Sequence, residues 1–175
     1  MSQQSHTDLI AKLRQLRAIN RQRSQLIKEF YEMTRSVCRA LNDELGDPDG
    51  LAVSDINTES LDLGIFSLST SPTWEISFYG DKLADCSIHG PREVPKPGFS
   101  IQMQKVALSI FIGGLPFHWL QIGNEPRWCV YDEQKKTLVP VENLEERVKT
   151  KLLETMLGEA DKLIQDRSPK PPAWR

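Results

Sequence analysis

Apolar residues recur at helical spacing through the first quarter of the chain. Leu9, Leu13 and Leu16 lie three or four positions apart, and a second series with the same period ends at Leu45. Neither proline nor glycine interrupts residues 7–45. The pattern therefore predicts one long helix or two stacked helices, with an apolar stripe along one side.

Polar residues and a glycine indicate where this helix begins and ends and where its apolar stripe is interrupted. Thr7 or Asp8 can cap its start, and Gly46 is a good stop because glycine accepts the left-handed turn that ends a helix. Asn20 and Arg23 fall on the extension of the apolar stripe. Polar residues there set the register of a coiled coil, or they mark the point where the helix leaves the domain body.

The same helix is basic near its start. Six lysines and arginines occur from Leu9 to Lys28, with no acidic residue among them. Arg14, Arg17 and Arg21 fall near one helical face, opposite the leucines. Such a helix can bind an acidic protein, follow the phosphates of nucleic acid or lie on an anionic membrane. The plainer interpretation is the solvated side of a dimerising helix.

Residues 51–140 alternate between apolar and polar side chains and are divided by turn residues, which is typical of an antiparallel meander. The predicted strands are 51–57, 63–70, 74–79, 83–89, 99–104, 106–112, 117–122, 127–132 and 136–139. A three-residue loop at 80–82 would pair Trp74 with Ile88 on one apolar face. The apolar positions change phase after Met103, which predicts a bulge near residues 104–105.

A second helix is predicted over residues 143–166. Asn143, with Glu146 three positions later, forms a capping-box-like start, and apolar residues then follow one side of the helix. The order of elements predicts an α+β fold: a long N-terminal helix, an antiparallel β-meander and a C-terminal helix packed on the sheet. The chain is divided into an N-terminal helical segment with coiled-coil features, a sheet with its C-terminal helix, and an extended proline-rich tail. These parts are 1–46, 47–166 and 167–175.

Composition is that of a globular protein. The chain has 175 residues, and 22 basic against 24 acidic side chains give a net charge of −2, which favours neither acidic nor basic partners. The three cysteines are widely spaced, the first residues are polar, and no apolar run approaches the ~20 residues that span a bilayer. A cytoplasmic location is therefore expected.

Two histidines and two cysteines have the chemistry of a zinc site. Cys86 and His89 are three residues apart, so a regular strand directs them to opposite faces. A four-residue turn at 123–126 would make His118 and Cys129 diagonal neighbours on one face. Because two ligands do not close a site, the sequence predicts no metal and no cofactor.

The same histidine and cysteine have the residue types of a thiol–imidazole catalytic pair. The sequence shows neither a glycine elbow nor a helix start beside the cysteine, and it lacks an obvious orienting carboxylate. Walker-type and dinucleotide-binding glycine motifs are absent as well. These features point away from an enzyme.

Aromatic residues crowd the strands around residues 117–131. Phe117, Trp119 and Trp128 share one face, and the opposite face is apolar too. Since a sheet with helices on one side should show a polar outer side, either the helices cover both faces or another chain covers one. The tail adds Trp174 after its prolines, which suits a docking peptide or a disordered end.

These features predict a non-catalytic protein-binding protein, namely an assembly factor, adaptor or chaperone for a specific client, and a homodimer. The residues expected at its contacts are Leu9, Leu13, Leu16, Arg14, Arg17, Arg21, Phe117, Trp119, Trp128 and Trp174. One alternative is a small-ligand domain or enzyme with a pocket under the C-terminal helix, lined by Trp119, Trp128, Tyr131, His118 and Cys129. A second alternative is a nucleic-acid binder that uses the basic helix.

Overall fold

The computed structural model describes residues 3–56, 73–96, 102–122 and 124–168. The strand predicted at 63–70 and the tail with Trp174 lie outside these ranges. The helices are α1, Gln3–Leu45, and α2, Leu144–Arg167. The strands are β1 Leu51–Val53, β2 Thr73–Phe78, β3 Asp81–His89, β4 Arg92–Lys96, β5 Gln102–Val106, β6 Leu108–Ile112, β7 Leu115–Ile122, β8 Glu125–Asp132 and β9 Thr137–Pro140.

Seven of these strands form one antiparallel sheet in the order β1-β2-β3-β6-β7-β8-β9. Neighbours in the sheet are successive strands of the chain, apart from the excursion through β4 and β5, which pair only with each other. Both helices contribute to the core on one face of the sheet. The predicted α+β fold with a meander and a packed C-terminal helix is confirmed.

Local chemistry ends α1 and begins α2 where the sequence predicts. Gly46 has φ +66°, and the amide of Asp47 donates to the carbonyl of Asn42 at 3.0 Å, which is the hydrogen bond of a Schellman motif. Asn143 Oδ1 accepts from the amide of Glu146 at 3.2 Å. The start of α1 lies upstream of the predicted caps, because the polar residues before them do not break a helix.

The second part of α1 lies across the sheet and forms the centre of the core. Ile27 and Phe30 are fully buried. The Phe30 ring centroid is 5.5 Å from that of Phe117 and 4.6 Å from that of Trp128. Thr34 follows on the same stripe, and its hydroxyl accepts a hydrogen bond from the indole of Trp74 at 3.3 Å. The buried hydroxyl of Thr34 is therefore satisfied.

The aromatic face that was predicted to bind a partner is the inner face of the sheet. Phe117 is 0% exposed and Trp128 is 6% exposed, and both pack beneath α1. Trp119 lies 5.2 Å from Trp128 between ring centroids and is partly exposed. Phe117 and Trp128, which the sequence assigned to a contact with another protein, are covered by the chain's own helix.

The hairpin of β4 and β5 covers part of the opposite face. Val106, at the end of β5, packs against Leu120 and Cys129, and the amide of Ala107 donates to the carbonyl of Trp119 at 2.9 Å. The change in the apolar alternation, which predicted a bulge near residues 104–105, has a different origin. At Ala107 the chain passes from the two-stranded sheet to the seven-stranded one. β5 pairs with β4, whereas β6 pairs with β3 and β7.

From Trp74 to Ile76 the register of the β2–β3 hairpin differs from the prediction by two residues, and beyond an irregularity between Ile76 and Ser77 it differs by three. Trp74 pairs with Cys86 rather than with Ile88. The turn consists of Tyr79 and Gly80, which both have positive φ, at 47° and 89°. Because a shift of two preserves the alternation of a strand, the predicted faces of Trp74 and Ile76 still hold.

Candidate protein-interaction surface

The first part of α1 projects beyond the sheet. At 1.5 Å per residue, the whole helix is about 65 Å long. Each side chain from residue 6 to residue 22, a segment that we call the arm, is exposed or only partly buried. Burial begins at Ser24, directly after Arg23. The polar residues on the apolar stripe thus mark the point where the helix leaves the domain body.

Three predicted contact residues form an exposed stripe on the arm. Leu9, Leu13 and Leu16, which we call the arm stripe, are 47%, 50% and 55% exposed. Continuing their alternating steps of four and three residues leads to Ile27 and Phe30, which are buried on the sheet. The side of α1 that packs in the body therefore extends into the arm, where no described residue covers it.

Basic side chains border the arm stripe on both sides. With 3.6 residues per turn, Lys12 and Arg17 lie about 70° from the centre of the stripe, on opposite flanks. Arg14 and Arg21 lie about 110–130° from it, on the same flank as Arg17. The arm carries these four basic residues and one acidic residue, Asp8. A partner that packs on the arm stripe would therefore contact the leucines at its centre and the basic side chains along its edges.

A second exposed apolar stripe runs along α2. Leu157 is 65% exposed and Ile164 is 63% exposed. The α2 stripe consists of Leu153, Leu157, Ala160 and Ile164, again in steps of four and three. Glu154 and Asp161 border it on the side that faces solvent. The sequence showed these leucines and this isoleucine only as a widening of the stripe that packs on the sheet.

An apolar groove of about 520 Å3 opens beside the α2 stripe, between α2 and the β2–β3 hairpin. Phe78 and Leu83 line it from the hairpin, and Leu163 and Ile164 line it from the helix. An ion pair of 2.6 Å between Arg167 and Asp81 also lies at the groove. The groove extends the apolar surface of α2 toward the sheet.

The predicted histidine–cysteine pair lies on the face of the sheet that is remote from the helices. His118 pairs directly with Cys129 rather than with Tyr131, because Ile122 pairs with Glu125 rather than with Arg127. The Ser109 hydroxyl lies 2.7 Å from Nδ1 of His118. The geometry is that of a satisfied polar pair within the sheet.

Burial controls the chemistry of this pair. Burial, helped by the positive charge of Arg92, lowers the pKa of His118 to about 4. Burial also raises the pKa of the Cys129 thiol. Ser109 and Cys129 are 0% exposed and His118 is 5% exposed, so a substrate has no access to a nucleophile here.

The five residues predicted to line a pocket under the C-terminal helix do not lie together. Trp119 and Trp128 belong to the helix-covered face, whereas His118, Cys129 and Tyr131 belong to the other face. The sheet itself therefore separates these two groups of side chains. Within the described ranges, no three side chains of His, Cys, Asp or Glu lie close enough together to hold a metal ion.

Neither α1 nor α2 is apolar enough along its length to cross a bilayer, and these are the long helices of the described part of the chain. Comparison with protein-family models, with curated protein sequences and with solved structures gives no match.

Proposed function

We propose that this chain is a non-catalytic protein-binding protein, an adaptor, assembly factor or chaperone, that holds a helix of its client along the arm stripe. The observation that supports the proposal is the continuity between a buried stripe and an exposed one on a single helix. Ile27 and Phe30 are sealed in the body, and Leu9, Leu13 and Leu16 continue the same side into solvent.

The energetics of the arm favour a bound state. An exposed helical segment such as the arm gains little from propensity alone, because most helical stability in proteins comes from packing an apolar face. Full burial of a leucine side chain stabilises by about 1.5–3 kcal/mol, so covering these half-exposed leucines would contribute about 1 kcal/mol each. A partner therefore stabilises both the contact and the helix that makes it.

The flanks of the stripe define the partner's chemistry. Lys12 and Arg17 occupy the positions beside the stripe that contact a neighbouring helix in a coiled coil. Two parallel arms would bring Lys12 of one close to Arg17 of the other, and like charges there oppose pairing. A helix with an apolar stripe and acidic flanks matches the arm in both respects.

A synthetic helix tests the proposal. The probe is a labelled peptide of four heptads with leucine at the two seam positions and glutamate at the flanking positions. We expect the full-length protein to bind it, and the double variant L13S/L16S to bind it at least about tenfold more weakly. Fluorescence anisotropy measures the binding, and circular dichroism verifies that the variant keeps its fold.

Two controls separate a stripe contact from attraction between charges. The variant Q15S/Q22S alters the opposite side of the arm and is expected to bind the peptide like the natural chain. A peptide with lysine at the flanks should bind weakly. The proposal fails if the leucine variant binds as well as the natural chain. It also fails if duplex DNA binds more tightly than the peptide, with a steep dependence on salt.

A further inference from the structure

We propose that, when no client is bound, the arm stripe of one copy packs along the α2 stripe of a second copy and forms a reciprocal homodimer. This inference rests on the proposed function, because it assigns an occupant to the same stripe. It also assigns a role to the exposed residues Leu157 and Ile164 of α2, which are 65% and 63% exposed in the isolated chain.

The two stripes have matching geometry. On the arm, leucines at 9, 13 and 16 are followed by Asn20, and on α2 the stripe residues fall at 153, 157, 160 and 164. Both series advance by four, three and four residues, the spacing at which two helices interlock their side chains. Leu9 to Leu16 and Leu157 to Ile164 each span about 10 Å along their helix.

The charges beside the stripes select this pairing over the alternatives. Parallel arms place Lys12 of one copy near Arg17 of the other, and two antiparallel α2 helices bring together the carboxylates of Glu154 and Asp161. Arm against α2 sets one of the two basic flanks of the arm, at Lys12 or at Arg17, against the acidic flank of α2. Of the three ways in which two copies can join these stripes, this one alone is electrostatically complementary.

The carboxylates on α2 are available for the contact. Glu154 is 62% exposed, and its nearest cation, Lys151 Nζ, is 3.7 Å away, which is a loose surface pair of small energy. Asp161 is exposed on the next turn of the same side. The groove beside Ile164 adds apolar surface for the arm, since Phe78 and Leu83 line its far wall.

The contact has to form between copies. Within one chain the arm stripe and the α2 stripe are both exposed, and α1 is a single unbroken helix that carries the arm away from the body. If one arm reaches the α2 of a second copy, a twofold axis gives the second arm the same contact in return. Because client and second copy use one stripe, the dimer and the client complex exclude each other.

Charge reversal with rescue tests this inference on the full-length chain. Light scattering after size-exclusion chromatography should give twice the chain mass at micromolar concentration. Reversal of the arm in K12E/R17E, or of α2 in E154K/D161K, should raise the dimer dissociation constant by about tenfold or more. The chain that carries all four substitutions should recover the dimer.

The variant K135E/K136E on the β8–β9 turn changes the net charge as K12E/R17E does, and it should remain dimeric. A monomeric natural chain, a dimer that resists both reversals, or a failure of the four-substitution chain to recover would overturn the inference. If the natural chain is monomeric but still binds the acidic peptide, the inference fails and the proposed function stands. If it neither dimerises nor binds the peptide, both fail.

Discussion

Replacing Phe30 with alanine is expected to lower the free energy of unfolding by about 3–5 kcal/mol. Phe30 is 0% exposed, and its ring packs against Phe117 and Trp128 at centroid distances of 5.5 and 4.6 Å. The change removes a large buried ring and leaves a cavity at the junction of α1 with the sheet. Urea unfolding followed by tryptophan fluorescence measures the loss, because Trp128 lies beside the cavity.

An exposed residue of the same helix gives the matched control. Leu45 is 59% exposed, and its replacement by alanine should change the free energy of unfolding by no more than about 0.5 kcal/mol. F30L keeps most of the buried volume and should cost clearly less than F30A. Equal losses for the Phe30 and Leu45 alanine variants would show that α1 is not anchored to the sheet through Phe30.

Acidification is expected to destabilise the fold through His118. Its pKa is lowered from 6.5 to about 4, mainly by burial. Because the unfolded chain binds this proton more readily, the stabilisation is fully present above pH 6.5 and is lost as the pH falls toward 4. At 1.36 kcal/mol per pKa unit, the loss is on the order of 3 kcal/mol.

The variant H118N isolates this contribution from the carboxylates that titrate in the same range. The absolute stability of H118N will differ from that of the natural chain, because Ser109 loses its imidazole partner. The quantity to compare is therefore the change of the urea midpoint with pH. Urea midpoints measured at several pH values from 7 to 4 should fall more steeply for the natural chain than for H118N. Parallel slopes would mean that His118 is protonated as readily in the folded chain as in the unfolded one.

Features that depend on local chemistry were predictable from the sequence. Gly46 ends α1 because it takes a left-handed conformation, and Asn143 begins α2 because its side chain accepts a backbone hydrogen bond. The faces of the strands were also predictable, since side chains alternate. Hairpin registers were not, because a non-glycine residue, Tyr79, takes positive φ in a two-residue turn and nothing in its side chain reveals this.

What covers each apolar surface depends on the width of the sheet, which no residue pattern records. Phe117 and Trp128 look like a binding surface in the sequence, and their pattern does not say that α1 covers them. The leucines of the arm and Ile27 have the same spacing and apolar character in the sequence. Only Ile27 lies over the sheet, which does not extend beneath the arm. Asn20 and Arg23 gave the one indication of that boundary. The α2 stripe was missed because Leu157 and Ile164 neighbour residues that do pack.

The three cysteines make the folded chain a poor target for thiol reagents. Burial raises the pKa of Cys38 to about 11 and that of Cys86 to about 12, and it also raises the pKa of Cys129. Alkylating agents react with the thiolate, so each thiol is modified only when its surroundings open. Cys38 and Cys86 lie in the main core and Cys129 lies in the small cluster behind the sheet. The labelling rates of the individual cysteines would therefore measure local opening on each side of the sheet without any added probe.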